Sequence, residues 1–179
     1  MAQSQSRIIA FFEGSGTDGS GRLLSDVLQF DDRRLEQVHD YIQWLFPLRD
    51  RSGANPLAPT LSEEDVAAFR TRAELRAALS RGFQRMLRFY GLSFDGTAIV
   101  PNAGFALRKE DWLCRGNHNH LRLTRIMLSL HTLGLERECR ALFECLAKIY
   151  DGAEFGGRER ITVETFRYWE AASQGSSRL

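Results

Sequence analysis

The stretch that most constrains this chain is residues 118–133, HNHLRLTRIMLSLHTL. Asn117 is placed to cap it and Gly134 to end it. At helical spacing Leu123, Ile126, Met127, Leu130 and Leu133 share one arc, while Leu121 and Leu128 lie roughly opposite. A helix apolar on two sides has to be surrounded, so this segment predicts a central, buried helix. The flanking chain reads the same way. Asp31 or Asp32 caps a helix to about Phe46, stopped by Pro47, with Leu35, Val38, Ile42, Leu45 and Phe46 inward. Thr60 with Glu63 and Thr71 with Glu74 read as capping boxes. They would start one helix through Phe69 and a longer one to Tyr90, which Gly91 ends. Residues 105–113, 136–150 and about 162–172 add further helices, and only TAIV (97–100) suggests extended chain. The expected fold is all-α: a single compact multi-helix domain of about six or seven helices around the central one. Its expected limits are 25–172, after an N-terminal segment with a flexible Gly-rich loop (1–24) and before a frayed tail (173–179).

Charge narrows the partners. The 179 residues carry 24 basic and 23 acidic side chains, a net charge of +1. That balance makes nucleic acid an unfavoured partner and excludes an acidic solvating tail as a description of the whole. Every basic residue except Lys109 and Lys148 is arginine. Three scattered cysteines, Cys114, Cys139 and Cys145, form no disulfide framework and suit a reducing compartment. No apolar run approaches the roughly eighteen residues of a membrane span. RIIAFF (7–12) is too short for a signal peptide and lacks a cleavage site, so the expected location is the cytoplasm.

Familiar chemical motifs fail on context. Gly14-Ser-Gly16-Thr-Asp-Gly19 has dinucleotide-loop spacing, yet no second strand follows to complete the βαβ unit that chemistry needs. Cys114, His118 and His120 are spaced like part of a zinc site but lack a converging fourth ligand. No nucleophile elbow appears, and Cys139 and Cys145 fall on an apolar helix face where thiols are inert. Accordingly no catalytic residue, metal or cofactor is expected.

Two polar constellations remain. On an unbroken helix 32–46, Glu36, His39, Asp40 and Gln43 share a narrow arc with Trp44 at its edge. On the other helix, Asn117, His118 and Asn119 precede Arg122 and Arg125, near unpaired N-terminal N–H groups. Facing one another, they would form a ligand site of His39, Asp40, Gln43, Trp44, His118, Asn119, Arg122 and Arg125. Trp112 would add a flat wall, and the helix N-terminus would hold an anion. The alternative use of the same arginines is an internal ion-pair network.

At these segments the sequence resembles the conserved region of the opioid growth factor receptor family. HDYIQWLFPL (39–48), MLRFYGL (86–92) and HNHLRLTRIMLSLHTLGLE (118–136) carry the likeness, over about residues 25–150. The resemblance implies an all-helical intracellular domain. The family's vertebrate members are described as receptors for the peptide methionine-enkephalin, associated with the nucleus and with restraint of cell growth. The arginine-dominated composition and the short chain suit a stand-alone, bacterial member. The leading functional expectation is a non-enzymatic domain binding a peptide or small anionic ligand. An enzyme or nucleotide-handling protein using His39/Asp40 and His118/Arg122 is the alternative. A nucleic-acid-binding helical domain is the third.

Overall fold

The computed structural model describes residues 6–53 and 55–177. Over these the chain is mostly helical, with eleven α-helices and one two-stranded sheet. The helical class agrees with the sequence reading, but the count exceeds the six or seven expected. Connecting segments coil into short helices, and one expected long helix is broken. Residues 178–179 of the expected tail, and 1–5 at the other end, lie outside the described residues. The chain falls into two compact units, 1–82 and 83–179, taken in turn.

The first unit contains α1 (Arg7–Glu13), α2 (Leu24–Leu28), α3 (Asp32–Gln37), α4 (Ile42–Leu45), α5 (Glu63–Thr71) and the start of α6 (Ala73–Tyr90). RIIAFF is helical, burying Ile8, Ile9, Phe11 and Phe12. Phe12 meets Phe69 edge-on at 4.9 Å. The helix expected over 32–46 is interrupted: Val38 is extended (φ −92°, ψ 130°) and helix resumes only at Ile42. The reason is burial. Residues 41–47 are all buried, which a straight helix with one apolar arc does not allow. The buried Tyr41 also donates its hydroxyl back to the Leu35 carbonyl at 3.2 Å.

Two predicted caps move as well. Ser62 and Asp65, not Thr60 and Glu63, form the capping box of α5. The Thr71 hydroxyl donates to the Ala67 carbonyl at 2.8 Å, closing α5 instead of opening α6. Within α6, a Cβ at Gly82 would lie 2.6 Å from Leu45 Cδ1, so only glycine lets these helices approach so closely.

The second unit holds the rest of α6, then β1 (Leu92–Phe94) and β2 (Ile99–Pro101), antiparallel with Leu92 opposite Pro101. After them come α7 (Phe105–Trp112), α8 (His118–Thr132), α9 (Glu136–Asp151), a 3₁₀ turn (Ala153–Phe155), α10 (Gly157–Arg160) and α11 (Val163–Ser173). Gly91 turns the chain into β1 at φ +74°, where a Cβ would meet Phe105 Cα at 2.6 Å. Helix α8 packs against α7, α9 and α11, as a central helix should. Its second buried side differs from expectation. Leu121 is exposed, whereas Asn119, His120, Arg122 and Ser129 are buried.

His120 lies edge-on to Trp169 at 5.4 Å, and Trp169 Nε1 donates to the His120 carbonyl at 3.1 Å. Among the described residues, the buried His120 Nε2 has no partner. Burial, against a weaker opposing bond to the Trp112 backbone, pulls its pKa below the ordinary histidine value. The folded chain thus prefers neutral His120, and the unfolded chain takes the proton. This stabilisation is complete above about pH 6.5 and is lost progressively as pH falls below it. Between pH 7.5 and 5.5, urea midpoints should drop more for the unmodified chain than for His120→Gln; parallel drops would refute the assignment. The thiols give a second check. Burial pushes Cys139 and Cys145 up to about 12, while Cys114 is exposed. Alkylation of the native chain at pH 8 should consume Cys114 alone, and denaturation should release the other two.

Candidate functional site

In the first unit, the loop between α1 and α2 folds around Asp18, whose carboxylate is fully buried. Asp18 Oδ1 accepts the backbone N–H groups of Ser20 (2.9 Å) and Arg22 (3.0 Å), and Oδ2 accepts Arg22 Nε at 2.6 Å. The other end of Arg22 donates to Asp40 Oδ1 at 2.7 Å, and the Ser20 hydroxyl donates to Asp40 Oδ2 at 2.6 Å. Partial burial works against the Asp40 carboxylate. The bonds from Ser20 and Arg22 outweigh it and hold its pKa below the usual carboxylate value. Asp40 is thereby kept ionised, a poor state for general acid work near neutral pH.

This network forms one wall of an open cleft of about 410 Å³ lined by Gly19, Ser20, His39, Asp40, Trp44, Asn55 and Leu57. Of the predicted site residues, His39, Asp40 and Trp44 therefore meet at one place, although the shared helical arc that suggested them does not exist. The break at Val38 delivers His39 and Asp40 to the cleft on irregular chain. Trp44 is 2% exposed and presents only its edge; Phe11 packs against it at 5.6 Å, and the Arg7 guanidinium lies 5.0 Å over its ring. Gln43 is buried behind. With its amide nitrogen turned inward it donates to the His39 and Asp40 carbonyls at 3.1 Å, bracing the segment.

The remaining predicted residues belong to the second unit. Trp112 is wholly buried and donates Nε1 to the Tyr90 carbonyl at 3.1 Å, so it is a core residue rather than a ligand wall. Asn119 is also wholly buried, and its Oδ1 accepts Arg122 Nη1 at 3.2 Å. Arg122 is 5% exposed. The Asn117 side chain occupies the Asn119 N–H at 2.8 Å, one of the donors the expected anion needs. His118 is exposed, and burial lowers the pKa of the half-buried Arg125. Among the described residues no three His, Cys, Asp or Glu side chains gather as metal ligands would.

Sequence reasoning missed Gly19, Ser20, Asp18 and Arg22. The signal was present: an aspartate two and four residues before groups it accepts is Asx-turn spacing, here hidden in a glycine-rich tract.

Residues 22–148 match the family described as the opioid growth factor receptor (OGFr) conserved region. The chain belongs to this family. It is 43% identical to the rat opioid growth factor receptor over 122 residues, 65% of this chain and 21% of that protein. It is 40% identical to the human opioid growth factor receptor over 122 residues, 65% of this chain and 18% of that protein. With mouse opioid growth factor receptor-like protein 1 it shares 38% over 107 residues, 59% of this chain and 23% of that one. The chain thus spans about a fifth of the length of the curated relatives it matches. No solved structure matches it. The word receptor in these names belongs to the longer relatives. No helix among the described residues is long and apolar enough to cross a membrane.

The Asp18 knot predicts a hierarchy of losses. Asp18→Ala strands Arg22 and two backbone N–H groups and should cost roughly 3–5 kcal/mol in urea unfolding. Ser20→Ala, at the exposed rim, should cost only about 0.5–1.5 kcal/mol. Equal losses would show that Asp18 does not organise the loop.

Proposed function

We propose that this chain is a non-enzymatic peptide-binding domain and that the cleft of its first unit receives the ligand. The observation that carries the reading is the convergence of His39, Asp40 and Trp44, all from the family-typical HDYIQW string, on a cleft of about 410 Å³. An aromatic edge beside a few fixed polar groups is the usual make-up of a ligand pocket. The name opioid growth factor receptor, borne by the rat and human relatives, makes an opioid peptide the first ligand to test. The α8 N-terminus is the weaker candidate, because Arg122 and Asn119 are buried and bonded to each other. The unpaired thiols, two of them buried, support a cytoplasmic location.

The test is a titration of isotopically labelled protein with methionine-enkephalin. Resonance shifts should centre on Ser20, His39, Asp40 and Trp44 and saturate. Shifts confined to the α8 N-terminus would move the site there, and a flat titration would refute the peptide reading. The role of Arg122 separates in the same way. As a core residue, Arg122→Ala should cost roughly 1.5–3 kcal/mol of stability while leaving the titration unchanged.

A further inference from the structure

We infer that the cleft of the first unit recognises a free carboxylate, through the Trp44 indole N–H as donor and Arg7 as counter-ion. The inference rests on the peptide-binding reading above and specifies which end of the peptide the cleft holds.

The chain has three tryptophans, all at least 98% buried. Two of them satisfy their single donor: Trp112 Nε1 reaches the Tyr90 carbonyl and Trp169 Nε1 the His120 carbonyl, each at 3.1 Å. Trp44 Nε1 has no acceptor among the described residues. The indole around it is buried, so this N–H is the one polar point Trp44 offers at the cleft wall, free to take an acceptor from a ligand. Its direction is set by Gly19. A Cβ built there would stand 3.6 Å from Nε1, so the missing side chain leaves the N–H open toward the cleft that both residues line. Indole N–H only donates, so the ligand must bring an acceptor.

Charge decides which acceptor. Asp40 already accepts from Ser20 and from the Arg22 guanidinium, so its charge is partly answered from within the fold. The Arg7 guanidinium sits 5.0 Å over the same indole, is exposed, and pairs with no carboxylate among the described residues. A neutral backbone carbonyl would satisfy Trp44 and leave Arg7 without a counter-ion. A terminal carboxylate satisfies both, one oxygen on the indole N–H and its charge beside a guanidinium that needs only a swing of its long stem.

The experiment compares methionine-enkephalin with its C-terminal amide, following binding and the three indole N–H resonances. The free acid should shift the Trp44 indole resonance and leave those of Trp112 and Trp169 in place. The amide should bind at least about ten-fold more weakly. Arg7→Gln should weaken the acid to the level of the amide while leaving the amide unchanged. Gly19→Ala, which adds a methyl at van der Waals distance from Nε1 without a backbone penalty, should weaken the acid at an unchanged melting temperature. Equal binding of acid and amide, with the Trp44 indole unmoved, overturns the carboxylate inference and leaves the peptide reading standing. No binding of either peptide overturns both.

Discussion

Burying residues 41–47 in unbroken succession is the constraint on which the first unit depends. A helix with one solvated face cannot do it, so α3 stops at Gln37 and α4 restarts at Ile42. The chain between them must then satisfy its polar groups without a helical ladder. Gln43 takes two of the freed carbonyls, and Asp40 is held by Arg22 and Ser20. The same break that serves the core therefore brings His39 and Asp40 to the cleft that Trp44 edges. Core packing and site construction are here a single event.

The second unit deals with polar burial differently. Helix α8 is surrounded, and it meets its neighbours with Asn119, His120, Arg122 and Ser129 as well as with leucines. Arg122 donates to Asn119 and Trp169 donates to the His120 backbone carbonyl, while among the described residues His120 Nε2 and Ser129 Oγ have no partner. Such groups specify how helices seat against α8 in a way apolar side chains do not. The His120 ring, kept neutral by its burial, makes part of this seating sensitive to acid.

The cleft is assembled from two sources. His39, Asp40, Trp44 and Arg22 lie inside the family match, which begins at residue 22, whereas Gly19, Ser20, Asp18 and Arg7 precede it. The conserved region supplies the aromatic edge and the carboxylate. The preceding segment supplies the arm that holds the carboxylate, and the guanidinium over the indole.

The helices α6, α7, α8, α9 and α11 fall nearly where the sequence placed them, with apolar arcs along α6, α8 and α9 and glycines after α6 and α9. The strings HDYIQWLFPL and HNHLRLTRIMLSLHTLGLE likewise marked the family. Sequence also named His39, Asp40 and Trp44, through a shared arc of a helix that the fold breaks. It did not reveal that they reach the cleft by breaking a helix, because local periodicity counts apolar residues and does not register burial from every side. Nor did it show that Arg122 and Trp112 are interior, since a side chain's exposure depends on which distant elements cover it. The partner of Asp40 was likewise beyond it: Arg22 stands 18 residues away, and only the folded turn around Asp18 aims its guanidinium. Local physics determined the elements; burial and long-range pairing, which exist only in the packed chain, decided the site.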